Sequence, residues 1–158
     1  MNVADSDRLA RALGTLGLKE TNDPAQAGMI ILNTCVVRQS AEDRALGRLN
    51  SLQPLKRSNP DLIIGLMGCL VGIKGNAAIE KRYPWVDIFA APSDPEPFLR
   101  FLENRIDQDV SESWRKQVDD VLDAEFGVST EVRHTVSENL PIVLGCSHAC
   151  AYCVIPGR

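Results

Sequence analysis

Three short apolar runs recur at nearly even spacing: "GMIILNTC" from Gly28, "NPDLIIGLMGC" from Asn59 and "WVDIFAAP" from Trp85. None of them alternates polar with apolar residues. A strand apolar on both faces must be covered on both, which is the condition of a parallel sheet between two helical layers. The intervening segments supply those layers. "DSDRLARALGTLG" places Leu9, Leu13 and Leu16 at i, i+4 and i+7, with Asp5 or Ser6 to cap its start and Gly14 or Gly17 to end it. "RQSAEDRALGRLNSLQPLK" puts Leu46, Leu49 and Leu52 on adjoining turns. "GNAAIEKRYP" reads as a short helix stopped at Tyr83 by Pro84, and "DPEPFLRFLENRI" as a helix with prolines near its first turn.

Strand and helix thus alternate in units of roughly 30 residues, and residues 1–106 are expected to form a doubly wound, parallel-sheet α/β domain. Only 5% of the chain is aromatic, so Leu, Ile, Val and Ala must fill its core. Such domains usually begin with a strand, whereas this chain opens on a helix start; the first strand is expected to be absent from the sequence. Residues 107–138 are acidic and sparsely apolar, and read as a linker carrying one short helix around Trp114 to Leu122. "LPIVLG" then restarts a strand, so residues 139–158 read as the beginning of a second domain.

No apolar run approaches the roughly 18 residues of a membrane span, and the start has no signal-peptide pattern. A cytoplasmic location is the default, and there thiols stay reduced, which turns attention from disulfides to metals and catalysis. The net charge of −4 argues against this segment gripping a nucleic-acid backbone by itself.

Three of the five cysteines, Cys146, Cys150 and Cys153, form C-x3-C-x2-C directly after the "LPIVLG" run. Thiolates at this spacing on a loop can converge on one soft metal centre. An iron–sulfur cluster is the reading the spacing favours; a structural zinc site would need a fourth ligand, for which His148 is the local candidate, and incidental thiols are the third reading. Three ligands on a 4Fe–4S cube leave one iron open to a small molecule bearing an amine and a carboxylate. Cys35 and Cys69 each end an apolar run, at the sheet edge where open α/β folds bind ligands. By themselves they read either as buried packing residues or as two thiols pointing into one crevice. Arg38 reads equally as a neighbour of such a site and as a solvated helix-start arginine. Asn33 and Thr34 either orient the Cys35 turn or contact substrate.

C-x3-C-x2-C with Tyr152 just before the last cysteine resembles the radical S-adenosylmethionine enzymes. The resemblance implies that Cys146, Cys150 and Cys153 hold a 4Fe–4S cluster that binds S-adenosylmethionine and cleaves it to a 5′-deoxyadenosyl radical. Tyr152 is then counted with the cofactor-binding residues, and His148 is a variable loop residue. The ordered set "MNVADSDRLARAL", "ILNTCVVRQSAEDRALGRL", "GLMGCL", "YPWVDIFAAP" and "GCSHACAYCVIPGR" is similar to the tRNA methylthiotransferases. In that family three N-terminal cysteines hold an auxiliary 4Fe–4S cluster. Two match Cys35 and Cys69, and the third belongs to a Gly-Cys-x-Met-Asn motif that would place it two positions before Met1.

The family likeness implies methylthiolation at C2 of an N6-isopentenylated adenosine beside the tRNA anticodon. One S-adenosylmethionine would supply the radical, another the methyl group, and the auxiliary cluster the sulfur. The implied partners are tRNA, bound mainly through parts outside this sequence, and a reducing electron donor; the implied protein is a cytoplasmic monomer. "MNVADS" and Arg38 favour the isopentenyl-adenosine branch over sister enzymes that modify threonylcarbamoyl-adenosine in tRNA or an aspartate of a ribosomal protein. The radical domain of the family is a partial (β/α) barrel, of which this chain would hold the first strand and loop. The sequence therefore reads as an N-terminal fragment, inactive alone; the competing reading is a non-enzymatic α/β module with a metal-binding loop.

Overall fold

All six residues of β2 (Ile63–Gly68) are buried, as a strand covered on both faces requires. In the computed structural model, which describes residues 3–105 apart from 37 and 75, together with residues 111–126, β2 lies between β1 (Met29–Thr34) and β3 (Ile88–Ala90). Both pairings are parallel, giving the order β1-β2-β3. Residues of opposite parity divide the core between the two faces. Ile64 and Leu66 join Ile30, Leu32 and Phe89 on one face, where Leu49 and Leu52 of α2 (Gln39–Ser58), Leu70 and Val71 of α3 (Cys69–Lys74) and Ile79 of α4 (Asn76–Arg82) cover them. Ile63, Met67, Ile88 and Ala90 form the other face, covered by Leu9 of α1 (Val3–Thr15) and Phe98 of α5 (Glu96–Glu103). A side chain as fully buried as Leu49 or Phe98 contributes about 1.5–3 kcal/mol. The three-layer, doubly wound parallel architecture expected from the sequence is the one observed.

Two details position the layers. Gly65 lets α5 settle on β2: a Cβ there would lie 2.3 Å from Cε1 of Phe98. At the amino edge of the sheet, Lys56 Nζ donates to both carboxylate oxygens of Asp87 (2.9 and 2.8 Å) and to the Leu62 carbonyl (2.6 Å). Asp87 in turn accepts the Ile64 amide at 2.8 Å, so one ion pair joins the end of α2 to the starts of β2 and β3.

Helix boundaries follow their signals with two differences. α1 ends at Thr15, where Gly17 takes a φ of 91° and the Leu18 amide returns to the Leu13 carbonyl at 3.0 Å, a Schellman-type stop. α1 begins at Val3, however, so Asp5 and Ser6 lie inside its first turn rather than capping it. The second difference is α3, a helix opened by Cys69 that the sequence pattern does not predict. The helix expected around Trp114 to Leu122 is α6 (Ser111–Phe126). Its Val118 and Val121 are buried against Ala12 and Leu16 of α1 and Leu99 of α5. Ion pairs fix the same contact: Arg100 reaches Glu103 at 3.1 Å and Asp119 at 3.0 Å, and Arg115 pairs with Glu103. No helix among the described residues is long and apolar enough to cross a membrane.

Candidate metal centre at the carboxyl edge of the sheet

The register of β1 on β2 sets Thr34 opposite Gly68, so the next residue of each strand, Cys35 and Cys69, emerges at the same edge. Both cysteines are half-buried and neither is in a disulfide. Burial first, then the neighbouring Cys35 thiol, push the Cys69 thiol up, while a hydrogen bond from the Val36 amide opposes the rise. Cys69 also packs against the core beneath α2 to α4.

The edge is held by an unusually close approach of backbones. Gly68 has a φ of 104°, and a Cβ on it would lie 2.4 Å from the Thr34 carbonyl oxygen and 2.7 Å from Asn33 Oδ1. Only glycine fits there. The buried Thr34 hydroxyl donates to the Met67 carbonyl at 2.8 Å and accepts the Leu70 amide at 3.2 Å. Asn33 Nδ2 donates to Ser6 Oγ at 3.0 Å, which ties the start of α1 to the end of β1. The Ser93 hydroxyl donates to the buried Asp5 carboxylate at 2.7 Å, and Ser93 takes a φ of 60°, a conformation non-glycine residues seldom adopt. Asp5 and Ser6 thus tether α1 and the loop after β3 to this edge.

Arg38 is exposed at the start of α2, where its carbonyl accepts the Ala41 and Glu42 amides; this is the solvated helix-start position. The Asp5–Ser93 tether and the bridging role of Thr34 had no signature in the sequence, because each partner is distant along the chain. A cavity of about 810 Å³ lies beside this edge, between α1 and the sheet face, lined by Leu9, Leu13, Met29, Ile31 and Met67. Ser6 and Asn33 border it, while the two thiols do not.

Two thiols in partly apolar surroundings are the soft donors that iron–sulfur ligation uses. Among the described residues no group of three or more side chains able to hold a metal is assembled. Cys146, Cys150 and Cys153, with His148 and Tyr152, lie outside the described residues.

A family model described as "Uncharacterized protein family UPF0004" matches residues 1–91. Similar proteins include those named tRNA-2-methylthio-N(6)-dimethylallyladenosine synthase from Roseiflexus sp. (strain RS-1), 38% identical, and from Clostridium tetani, 37% identical. The protein of that name from Herpetosiphon aurantiacus is 36% identical. The matches take in 99–100% of this chain and 31–34% of each relative, so the chain spans about a third of the length of the curated relatives it matches. The parallel α/β fold and the match over residues 1–91 agree: the chain belongs to the UPF0004 family, the N-terminal domain of the methylthiotransferases.

Proposed function

We propose that this chain serves in the methylthiolation of tRNA, at C2 of an N6-isopentenylated adenosine beside the anticodon. The observation that supports the reading is the register that brings Cys35 and Cys69 out at one sheet edge, in a family whose curated relatives bear the synthase name above. Dimethylallyl in that name and isopentenyl here denote the same substituent, and the agreement supports this branch over its sister activities.

Cys35 and Cys69 would hold an auxiliary 4Fe–4S cluster with a third ligand from outside the described residues. Cys146, Cys150 and Cys153 would hold a second one, leaving an iron open to the amine and carboxylate of S-adenosylmethionine, with Tyr152 beside it. When bound, these clusters supply the electron for reductive cleavage of S-adenosylmethionine and the sulfur for the new C–S bond. The target C2–H has no acidity for a general base to exploit, which is why a radical route suits it. The part of the described residues in this scheme is structural chemistry: to present two thiols at a fixed separation and to shield them from one side with the core beneath α2 to α4. A reducing electron donor completes the partners, and the protein works in the cytoplasm as a monomer.

The test is mass spectrometry of tRNA nucleosides after deletion of the gene. Loss of the 2-methylthio group with the isopentenyl group retained is expected, restored by the parent gene and not by one encoding C146A/C150A/C153A. Full 2-methylthio content in the deletion strain would refute the reading.

A further inference from the structure

The sequence left open whether Thr34 orients the Cys35 turn or meets substrate. We propose that Thr34 is a positioning residue: its one hydroxyl, bonded at once to the Met67 carbonyl and the Leu70 amide, locks the two cysteine-bearing strand ends into the separation at which they act as a ligand pair.

The argument starts from where those bonds fall. Thr34 precedes Cys35, while Met67 and Leu70 flank Gly68 and Cys69. A hydroxyl can donate one hydrogen bond and still accept, so a single buried side chain grips the segment bearing Cys69 on both sides of the thiol. Gly68 is pressed against the Thr34 backbone over the same span, so the chain reverses from strand into α3 within one residue. The Leu70 amide belongs to the first turn of α3, whose amides have no partner inside the helix, and Thr34 satisfies that one. At 3% exposure the hydroxyl is turned into the protein and is not offered to a substrate. Residues that orient metal ligands without touching the metal characteristically change affinity by about 10–100-fold when removed.

This inference rests on the reading of Cys35 and Cys69 as a ligand pair, and its test separates the two. In the 158-residue chain carrying C146A/C150A/C153A, only Cys35 and Cys69 remain as thiols. Cadmium is titrated anaerobically at one pH and followed by thiolate-to-cadmium absorbance, with circular dichroism and urea unfolding on the same samples. T34V, which keeps the shape and loses the hydroxyl, is expected to bind cadmium about 10–100-fold more weakly, and T34S to bind like the parent. Hydrogen exchange should find the Leu70 amide protected in the parent and in T34S. A folded T34V that binds like the parent overturns the proposal, as does a T34S that keeps Leu70 protection but loses affinity. If T34V does not fold, T34S and the Leu70 amide decide: parental affinity with protection supports the proposal, and an unprotected Leu70 amide overturns it. Cadmium capture by the parent alongside normal tRNA thiolation in the deletion strain would sink the enzymatic reading and leave the positioning intact.

Discussion

Replacing Gly68 by alanine tests the cysteine edge through its most confined atom. The added Cβ meets the Thr34 carbonyl oxygen at 2.4 Å and the Thr34 amide nitrogen at 3.0 Å, both backbone atoms of a paired strand. It also meets Asn33 Oδ1 at 2.7 Å, which is bound up with the start of α1. The φ of 104° adds roughly 1–2 kcal/mol for any L side chain, and the steric overlap a further 1–3 kcal/mol or so. Alanine recovers roughly 0.4–1 kcal/mol by restricting the unfolded chain. The net expectation is a loss of about 2–4 kcal/mol, a large part of the roughly 5–15 kcal/mol typical of a domain. With a urea m-value of about 2 kcal/mol/M, the unfolding midpoint should fall by about 1–2 M. Gly47 is the internal control. It lies exposed in α2 with open space where its Cβ would go. The same change there should raise the midpoint by a few tenths of a molar, about 0.5–1 kcal/mol. A G68A midpoint at or above the parent's would refute the claim that the two strand ends touch.

Further expectations concern the core, an ion pair and acid. G65A should cost about 1–3 kcal/mol by driving a methyl into the Phe98 ring, and F98L should relieve part of it; additive losses in the double-mutant cycle would contradict the contact. K56M should lower stability by about 1–2 kcal/mol, because Asp87 keeps only the Ile64 amide and both groups are partly exposed; a thermal melt unchanged from the parent would contradict this. Arg115 and then Arg100 hold the Glu103 carboxyl below its usual range. Its folded value is the lower one, so the pairing stabilises above the ordinary glutamate range and is lost as pH falls through the lowered value. E103Q should therefore melt below the parent near neutral pH and approach it in acid, and a gap that does not change with pH would be the contrary result.

What was legible in the sequence was periodicity. Apolar runs on both faces marked β1 and β2 as parallel strands, though only β2 is buried throughout and β1 is mostly half-buried, and leucines at helical spacing marked α1 and α2. The cysteines could be placed at strand ends for a local reason: the first run stops at the polar Asn33 and Thr34, and the second at Gly68. α3 escaped because nothing in "CLVGIK" announces a helix. Its start depends on the Gly68 turn and on a hydroxyl 36 residues away, at Thr34. α6 carries Trp114, Val118, Val121 and Leu122 on one stripe, but the sequence cannot say what that stripe meets; α1 and α5 form its surface.

The sequence by itself determined the class of fold and the family, since pattern and ordered motifs are properties of short stretches. Tertiary structure alone decided the register that sets Thr34 opposite Gly68, that Thr34 faces inward, and that Asp5 and Ser6 tether α1 there. Those outcomes depend on strand register and on backbone distances of a few ångströms between residues far apart in the chain. Such distances exist only once β1 has paired with β2.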